Sequence, residues 1–287
     1  MNLLPPESEA PLPPARPGEG GTRVLTGVPY AQVPGFRPLE LDLVLPPGDG
    51  APVVVFVHGG GFRVGSRRSP GPGYDGTHPF EQVARQGIAV ASVDYRLSGE
   101  ARWPAQLHDV KAAVRWLRAR AGEIGVDGTR VAAWGESAGG HLAAMLGLTA
   151  GNPAFEGTVG VPGTAGPVRA VAAWYPPSDL AAVGDPADPE SREALLLGAP
   201  PATVPERAAE ASPVTHVSSA APPFLLLHGR ADKLVPHELS ERLYERLRAA
   251  GADAELHLFD GADHLWLGSD VAPEALDRTI AFLRGAL

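Results

Sequence analysis

The chain has 287 residues, 44% of them hydrophobic, and a formal net charge of −9 at pH 7. This acidic balance, with no basic cluster, argues against a nucleic-acid or anionic-membrane partner, and no apolar run reaches the length of a membrane span. The chain has no cysteine, which excludes disulfides, thiolate nucleophiles and cysteine-ligated metals. The first residues lack the basic and apolar regions of a secretory signal, so a cytoplasmic protein is expected; a secreted mature form stays open.

Hydrophobic patterning predicts two regions. Residues 1–21 hold many prolines and glycines without apolar periodicity, which predicts a flexible N-terminal arm. Residues 22–287 alternate strands and helices with short connections and are expected to form one domain, with a mostly parallel sheet covered by helices on both faces. The predicted strands are 23–30, 39–45, 53–57, 88–93, 130–134, 168–174, 224–227 and 255–259, and the predicted helices are 79–86, 105–120, 138–148, 190–197, 236–250 and a closing helix around 276–283.

The segment from Gly135 to Gly139 reads Gly-x-Ser-x-Gly between a short apolar strand and an Ala- and Leu-rich helix. Glycine tolerates positive φ and leaves room for a sharp strand-to-helix turn. Such a turn presents Ser137 at the N-terminus of the helix, where backbone N–H groups favour developing negative charge. Alone, the motif is also compatible with an ordinary Gly-rich turn.

Two further predicted strand ends supply the partners of a serine nucleophile. The carboxyl ends of parallel strands meet at one edge of a sheet, so Asp232 and His264 are expected near Ser137. His264 is the candidate base for the serine proton, and Asp232 is the candidate group that orients the imidazole. The chain order Ser, Asp, His is that of α/β-hydrolases. Asp253, Asp260 and Asp263 near the last strand are alternative acids.

A glycine run, His58-Gly59-Gly60-Gly61, ends the strand at 53–57. Backbone N–H groups of Gly60, Gly61 and Ala138 are the candidate oxyanion hole, and glycine is needed where the loop backbone approaches a substrate closely. Each feature has an ordinary alternative: a helix-capping aspartate, a surface histidine or a flexible turn. Their joint occurrence in order, at the ends of successive strands, favours the catalytic interpretation.

These motifs also carry a family resemblance. His58-Gly59-Gly60-Gly61-Phe62 together with the segment from Gly135 to His141 resembles the α/β-hydrolase-fold esterases related to hormone-sensitive lipase, especially the small bacterial type that includes feruloyl and acetyl-xylan esterases. The resemblance runs from about residue 28 to the C-terminus and implies the α/β-hydrolase fold. The sequence departs from the hormone-sensitive-lipase pattern in its Pro-rich N-terminus, where those relatives carry a helical cap, and in Glu136, where they commonly have Asp.

The sequence therefore predicts a serine carboxylesterase that hydrolyses short-chain carboxylic esters through an acyl-enzyme. An amidase or peptidase with the same residues, such as an aryl formamidase or a stand-alone prolyl-oligopeptidase relative, is the alternative, and a non-catalytic binding protein of this fold is a third. The expected partner is a small-molecule ester, with no cofactor and no metal; the oligomeric state stays open. The candidates for the substrate-pocket wall are bulky residues near the strand ends: Phe62, Tyr74, Trp103, Tyr175, Trp266 and Leu267.

Overall fold

The computed structural model describes residues 7–71, 74 and 78–287. Strands and helices alternate through most of this part of the chain, as the sequence predicts. The strands are β1 (Arg16–Pro17), β2 (Arg23–Ala31), β3 (Leu39–Leu45), β4 (Ala51–Val57), β5 (Ala89–Val93), β6 (Val126–Glu136), β7 (Val171–Trp174), β8 (Phe224–Gly229) and β9 (Ala254–Phe259). The helices are α1 (His78–Arg85), α2 (Ala105–Ala119), α3 (Ala121–Ile124), α4 (Ala138–Leu148), α5 (Arg192–Leu197), α6 (Pro205–Glu210), α7 (Glu238–Ala249) and α8 (Ala272–Ala286).

The strands of the described residues form one sheet in the order β1-β2-β3-β5-β4-β6-β7-β8-β9. Strands β5, β4 and β6 to β9 run parallel, while β1, β2 and β3 form an antiparallel edge. The predicted mostly parallel sheet is confirmed. In its register Val57 of β4 lies beside Gly135 of β6, and Glu136 lies beside Trp174 of β7. The carboxyl ends of the central strands therefore lie side by side.

Both faces of the sheet are buried. Along β4, Val53, Val55 and Val57 belong to one apolar core, while Val54 and Phe56 belong to a second core on the opposite face. Helices α2, α4 and α7 cover the first face, and α1 and α8 cover the second. This double burial explains why the central strands are continuous apolar runs instead of alternating patterns. None of the helices in the described residues is long and apolar enough to cross a membrane.

From residue 7 onward, the predicted N-terminal arm lies against the rest of the fold. The Trp116 indole N–H donates to the Ser8 carbonyl over 2.8 Å, and the Arg120 guanidinium donates to the carbonyls of Ser8 and Ala10. Strand β1 then pairs with β2. From residue 7 the structure thus differs from the flexible arm predicted for residues 1–21, because Trp116 of α2 and Arg120, just after this helix, bind backbone carbonyls of the arm. Residues 1–6 lie outside the described residues.

Candidate active site

Ser137 lies between the end of β6 and the start of α4 with a φ of +52°. A side chain is rarely found in this conformation, and it persists only where the surrounding structure imposes it. The neighbouring glycines provide the required space. A Cβ on Gly135 would lie 2.2 Å from the carbonyl oxygen of Gly139, and one on Gly139 would lie 2.0 Å from that of Val57. The predicted nucleophile turn is thus a close crossing of β4, β6 and α4 that excludes larger residues.

The structure brings Ser137, His264 and Asp232 together in one line of hydrogen bonds. The His264 Nε2 atom lies 2.9 Å from Ser137 Oγ, and His264 Nδ1 lies 2.6 Å from Asp232 Oδ2. The three residues follow the carboxyl ends of β6, β9 and β8, as the alternation of strands and helices predicted. All three side chains are almost entirely shielded from solvent.

Asp232 accepts hydrogen bonds on both carboxylate oxygens. Its Oδ1 atom accepts the backbone N–H groups of Leu234 and Val235 over 2.9 Å each. Burial by itself would raise the pKa of the Asp232 carboxyl, but the hydrogen bonds with His228 and His264 outweigh it and hold that pKa below its ordinary value. The carboxylate therefore stays ionised beside His264 at neutral pH.

A second histidine shares this carboxylate. His228 is fully buried, and its Nε2 lies 3.1 Å from Asp232 Oδ2 and 3.0 Å from the Val235 carbonyl oxygen. Since both of these neighbours are acceptors, Nε2 must carry a proton. The other ring nitrogen lies 2.7 Å from Ser240 Oγ. The signal in the sequence that could have marked this role is the position of His228 four residues before Asp232.

The glycine loop after β4 lies beside Ser137. Gly60, Gly61 and Ala138 line the same cavity as Ser137 and His264. Gly60 and Gly61 have φ values of 109° and 60°, and a Cβ on Gly60 would lie 2.1 Å from the Val64 carbonyl oxygen. Ala138 is the first residue of α4, where backbone N–H groups have no acceptor within the helix. The three candidate oxyanion donors thus meet at the serine.

Two buried side chains fix the glycine loop from behind. The His58 ring stacks on Tyr95, with centroids 4.4 Å apart, and its Nδ1 lies 2.7 Å from the Gly59 carbonyl oxygen. The Glu136 carboxylate accepts the Tyr175 hydroxyl over 2.9 Å and the Gly59 N–H. Burial raises the pKa of Glu136, and these hydrogen bonds limit the rise. Glu136 therefore ties the residue before the serine to the glycine loop.

The cavity beside Ser137 has a volume of about 300 Å³. Among the predicted wall residues only Phe62 lines it. Sequence reasoning missed most of its walls, which come from the loop after the glycine run, from α5 and its flanking turns, and from the loops that carry Asp232 and His264. These missed residues are Arg63, Val64, Pro177, Val183, Arg192, Glu193, Leu234, Val235 and Leu265.

The other five predicted wall residues have different surroundings. Tyr175 and Trp266 pack behind His264, with the Tyr175 ring 4.6 Å from the imidazole and 4.7 Å from Trp266. Trp103 packs on His141, and the Tyr74 hydroxyl donates to the Ala272 carbonyl. Leu267 is exposed and does not line the cavity. For the aromatic residues the reason is physical: their large apolar rings fill the core under the loops.

The alternative acids make other contacts. Asp263 Oδ1 accepts the backbone N–H groups of Lys233 and His264, while Asp260 pairs with Arg230 on the surface. Asp253 lies 3.8 Å from Arg248. Of the four aspartates, Asp232 is the one bonded to the His264 ring. Among the described residues, no group of three or more His, Asp or Glu side chains could hold a metal ion.

A mostly parallel sheet with helices on both faces and a Gly-x-Ser-x-Gly turn at its centre defines the α/β-hydrolase class. The BD-FAE family model matches residues 41–247, and the chain belongs to this family. Esterase LipC of Mycobacterium tuberculosis is 36% identical over 218 residues, covering 75% of this chain and 53% of LipC. The chain thus spans about half the length of the curated relatives it matches first.

Solved structures give the same class over nearly the whole chain. A carbohydrate esterase from gut microbiota, solved in truncated form, superposes with a TM-score of 0.83 at 29% identity, covering 94% of this chain and 98% of that one. An esterase of Thermogutta terrifontis, solved with bound propionate, gives a TM-score of 0.72 at 29% identity, covering 94% and 96%. The resemblance to α/β-hydrolase-fold esterases predicted from the motifs is confirmed.

Proposed function

We propose that the chain is a serine carboxylesterase acting on short-chain esters of small molecules. The continuous hydrogen-bonded line from Ser137 through His264 to Asp232 carries this proposal, since it is the arrangement that activates a serine hydroxyl. The esterase relatives support ester hydrolysis over the amidase alternative. The cytoplasmic location stays a prediction from the sequence.

In the first half of the reaction Ser137 Oγ attacks the ester carbonyl carbon while His264 Nε2 takes its proton. Asp232 accepts from Nδ1 and stabilises the imidazolium that forms. The carbonyl oxygen becomes an oxyanion, which the N–H groups of Gly60, Gly61 and Ala138 hold. When the tetrahedral intermediate collapses, the C–O bond to the alcohol breaks and His264 returns the proton to the leaving oxygen.

The second half releases the acid. Water gives a proton to His264 Nε2 and attacks the acyl carbon, so the same oxyanion forms in the same place. Collapse then breaks the bond to Ser137 Oγ, which recovers its proton from His264. Each half therefore uses the neutral imidazole once as a base and the imidazolium once as an acid.

Covalent labelling tests the proposal directly. A fluorophosphonate should modify Ser137 in the intact protein and leave Ser137→Ala unlabelled, with the fold retained by circular dichroism. The variant should lose about 10⁴-fold or more in turnover of p-nitrophenyl acetate. A variant that retained a substantial part of the wild-type rate would contradict the assignment of the nucleophile.

Acyl length separates an esterase from a lipase. A cavity of about 300 Å³ leaves little room for a long chain, and each further buried methylene gives about 0.8 kcal/mol only where it fits. Across p-nitrophenyl acetate, butyrate, octanoate and laurate, the initial rate should be highest at acetate or butyrate. A maximum at laurate, or a rise above the solubility limit, would contradict the short-chain assignment.

A further inference from the structure

Two arginines line the cavity that contains Ser137 and His264. Arg63 follows the glycine loop, and Arg192 begins α5 on another part of the wall. A Cβ placed on Gly61 would lie 2.3 Å from Arg192 Cδ and 2.8 Å from its Nε. The Arg192 side chain therefore lies directly over the glycine loop, beside the candidate oxyanion donors.

Neither guanidinium has a hydrogen bond or an ion pair with another side chain or carbonyl in residues 7–71, 74 and 78–287. The arginines beneath the site behave differently: Arg67 contacts Asp42 and Asp94, and Arg96 binds Asp109 through two nitrogens. In a chain with 33 acidic and 24 basic residues, carboxylate partners are plentiful. The two cavity arginines are thus placed where nothing in the described fold uses their donors.

Helix stability does not explain Arg192 either. Cations are unfavourable in the first turn of a helix because the N–H groups there already carry positive partial charge. Ser191 caps α5 by accepting the Ala194 N–H over 3.0 Å, which leaves Arg192 no capping role. Arg63 and Arg192 are both exposed, so water hydrates their guanidinium groups in the free protein, and their position on the cavity wall leaves these groups available to a bound substrate.

The wall also contains one carboxylic acid, Glu193. Burial raises the pKa of Glu193, and Arg192 acts against that rise. Even with this carboxylate ionised, the two guanidinium groups leave the wall with an excess of positive charge. Val64 and Leu234, which are 63% and 44% exposed, supply apolar surface on the same wall.

We propose that this cavity selects esters that carry an anionic group, a carboxylate in the simplest case, separated from the scissile ester by a short apolar spacer. Arg63 and Arg192 would bind the anion, because guanidinium donors match the geometry of a carboxylate, while Val64 and Leu234 contact the spacer. This inference rests on the proposed esterase function and names its substrate class.

Two pairs of isosteric substrates test it, one for each side of the ester. On the acid side, p-nitrophenyl hydrogen glutarate is compared with p-nitrophenyl 5-methylhexanoate, in which an isopropyl group replaces the carboxylate. On the alcohol side, 4-acetoxybenzoate is compared with 4-acetoxybenzamide. The readout is the ratio of kcat/KM for the charged ester to that for its neutral partner, after subtraction of spontaneous hydrolysis.

Wild-type protein is compared with Arg63→Gln, Arg192→Gln and the double variant, all checked by thermal unfolding. The matched control is Arg68→Gln, which removes the same charge from the same loop outside the cavity wall; Arg68 is 70% exposed. In at least one pair the double variant should lower the ratio about tenfold or more, since it removes the charge-assisted hydrogen bonds to the anion. The control should keep the wild-type ratio, and added salt should lower that ratio.

Equal ratios in wild type and the double variant, for both pairs, would overturn the inference while leaving esterase function intact. If the double variant fails to fold, the single variants and the salt dependence of the wild-type ratio decide the question in the same way. Absence of both neutral-ester hydrolysis and Ser137 labelling would instead reject the proposed function itself, and the inference with it.

Discussion

Several aspartates near the last strand were alternatives to Asp232 as the group that orients the His264 imidazole. Among the residues that the structure describes, only the Asp232 carboxylate contacts His264 Nδ1, so Asp232→Asn should lower kcat by about 10³–10⁴-fold through the wrong imidazole tautomer. Asp260→Asn is the matched control, because it makes the same change in an exposed residue paired with Arg230. A greater loss in Asp260→Asn than in Asp232→Asn, measured with p-nitrophenyl acetate, would show that the acid is misassigned.

His228 gives a prediction about pH. Its Nε2–H withdraws charge from the Asp232 carboxylate, so its removal should let that carboxylate hold a protonated His264 more strongly. In His228→Leu the acid side of the kcat/KM profile should move to higher pH. His228→Gln, whose amide N–H can replace Nε2–H, should keep the wild-type profile. A profile unchanged in both stable variants would limit His228 to a structural role.

The juxtaposition of Ser137, His264 and Asp232 could be predicted at the residue scale, because each residue follows a recognisable strand. The residues of the cavity wall could not be predicted in this way. Tyr175 and Trp266 were predicted there from size alone, but side-chain direction depends on packing, and both rings lie behind His264. Arg192 belongs to a helix that was predicted, and no local pattern shows that this helix returns over Gly61.

At the scale of elements, the turn from β6 to α4 is the most constrained part of the fold. Gly139→Ala would place a methyl group 2.0 Å from the Val57 carbonyl oxygen, where only backbone movement relieves the clash. We expect a loss of about 3 kcal/mol or more in unfolding free energy, or failure to fold. Gly122→Ala in α3 is the control, since its Cβ meets nothing within 4 Å and should stabilise by about 0.5–1 kcal/mol. Urea denaturation measures the unfolding free energy of both variants. Equal values would contradict the close crossing of β4, β6 and α4.

Hydrophobic periodicity predicted most helices and strands correctly. The errors lie at the ends of these elements and in the shortest ones. Strand β6 begins at Val126, before its apolar run, because its first residues pair with β4 through an irregular register. Conversely, β7 begins only at Val171, although the apolar pattern starts at residue 168. Helices α3 and α6 and the two-residue β1 were missed, since such short segments carry too few residues for a periodic signal.

At the scale of the whole molecule, buried histidines predict how stability depends on pH. Burial lowers the pKa of His58 and of His141 to about 4, against about 6.5 in the unfolded chain. Between these values the unfolded state binds more protons, so unfolding free energy should fall as the pH falls from about 6.5 to about 4. Each histidine contributes up to about 1.4 kcal/mol per pH unit.

Chemical denaturation across this range tests the effect. Glu136, whose pKa burial raises, acts in the opposite direction, so a matched variant is more informative than the total slope. His141→Gln can keep the hydrogen bond that His141 Nε2 makes with the Ala211 carbonyl, without a titrating ring. It should flatten the dependence of stability on pH. Parallel curves for the two proteins would contradict the prediction.

The glycines of the serine turn also matter to anyone who wishes to redesign this protein. Gly135, Gly139 and Gly140 face backbone atoms within 3 Å of any added methyl group. A randomised library should keep these three glycines, because almost every variant with another residue at these positions would misfold. Val64 and Leu234 project from loops with much of their surface free. Diversity introduced at those two sites would change which molecules are accepted while leaving the reacting groups in place.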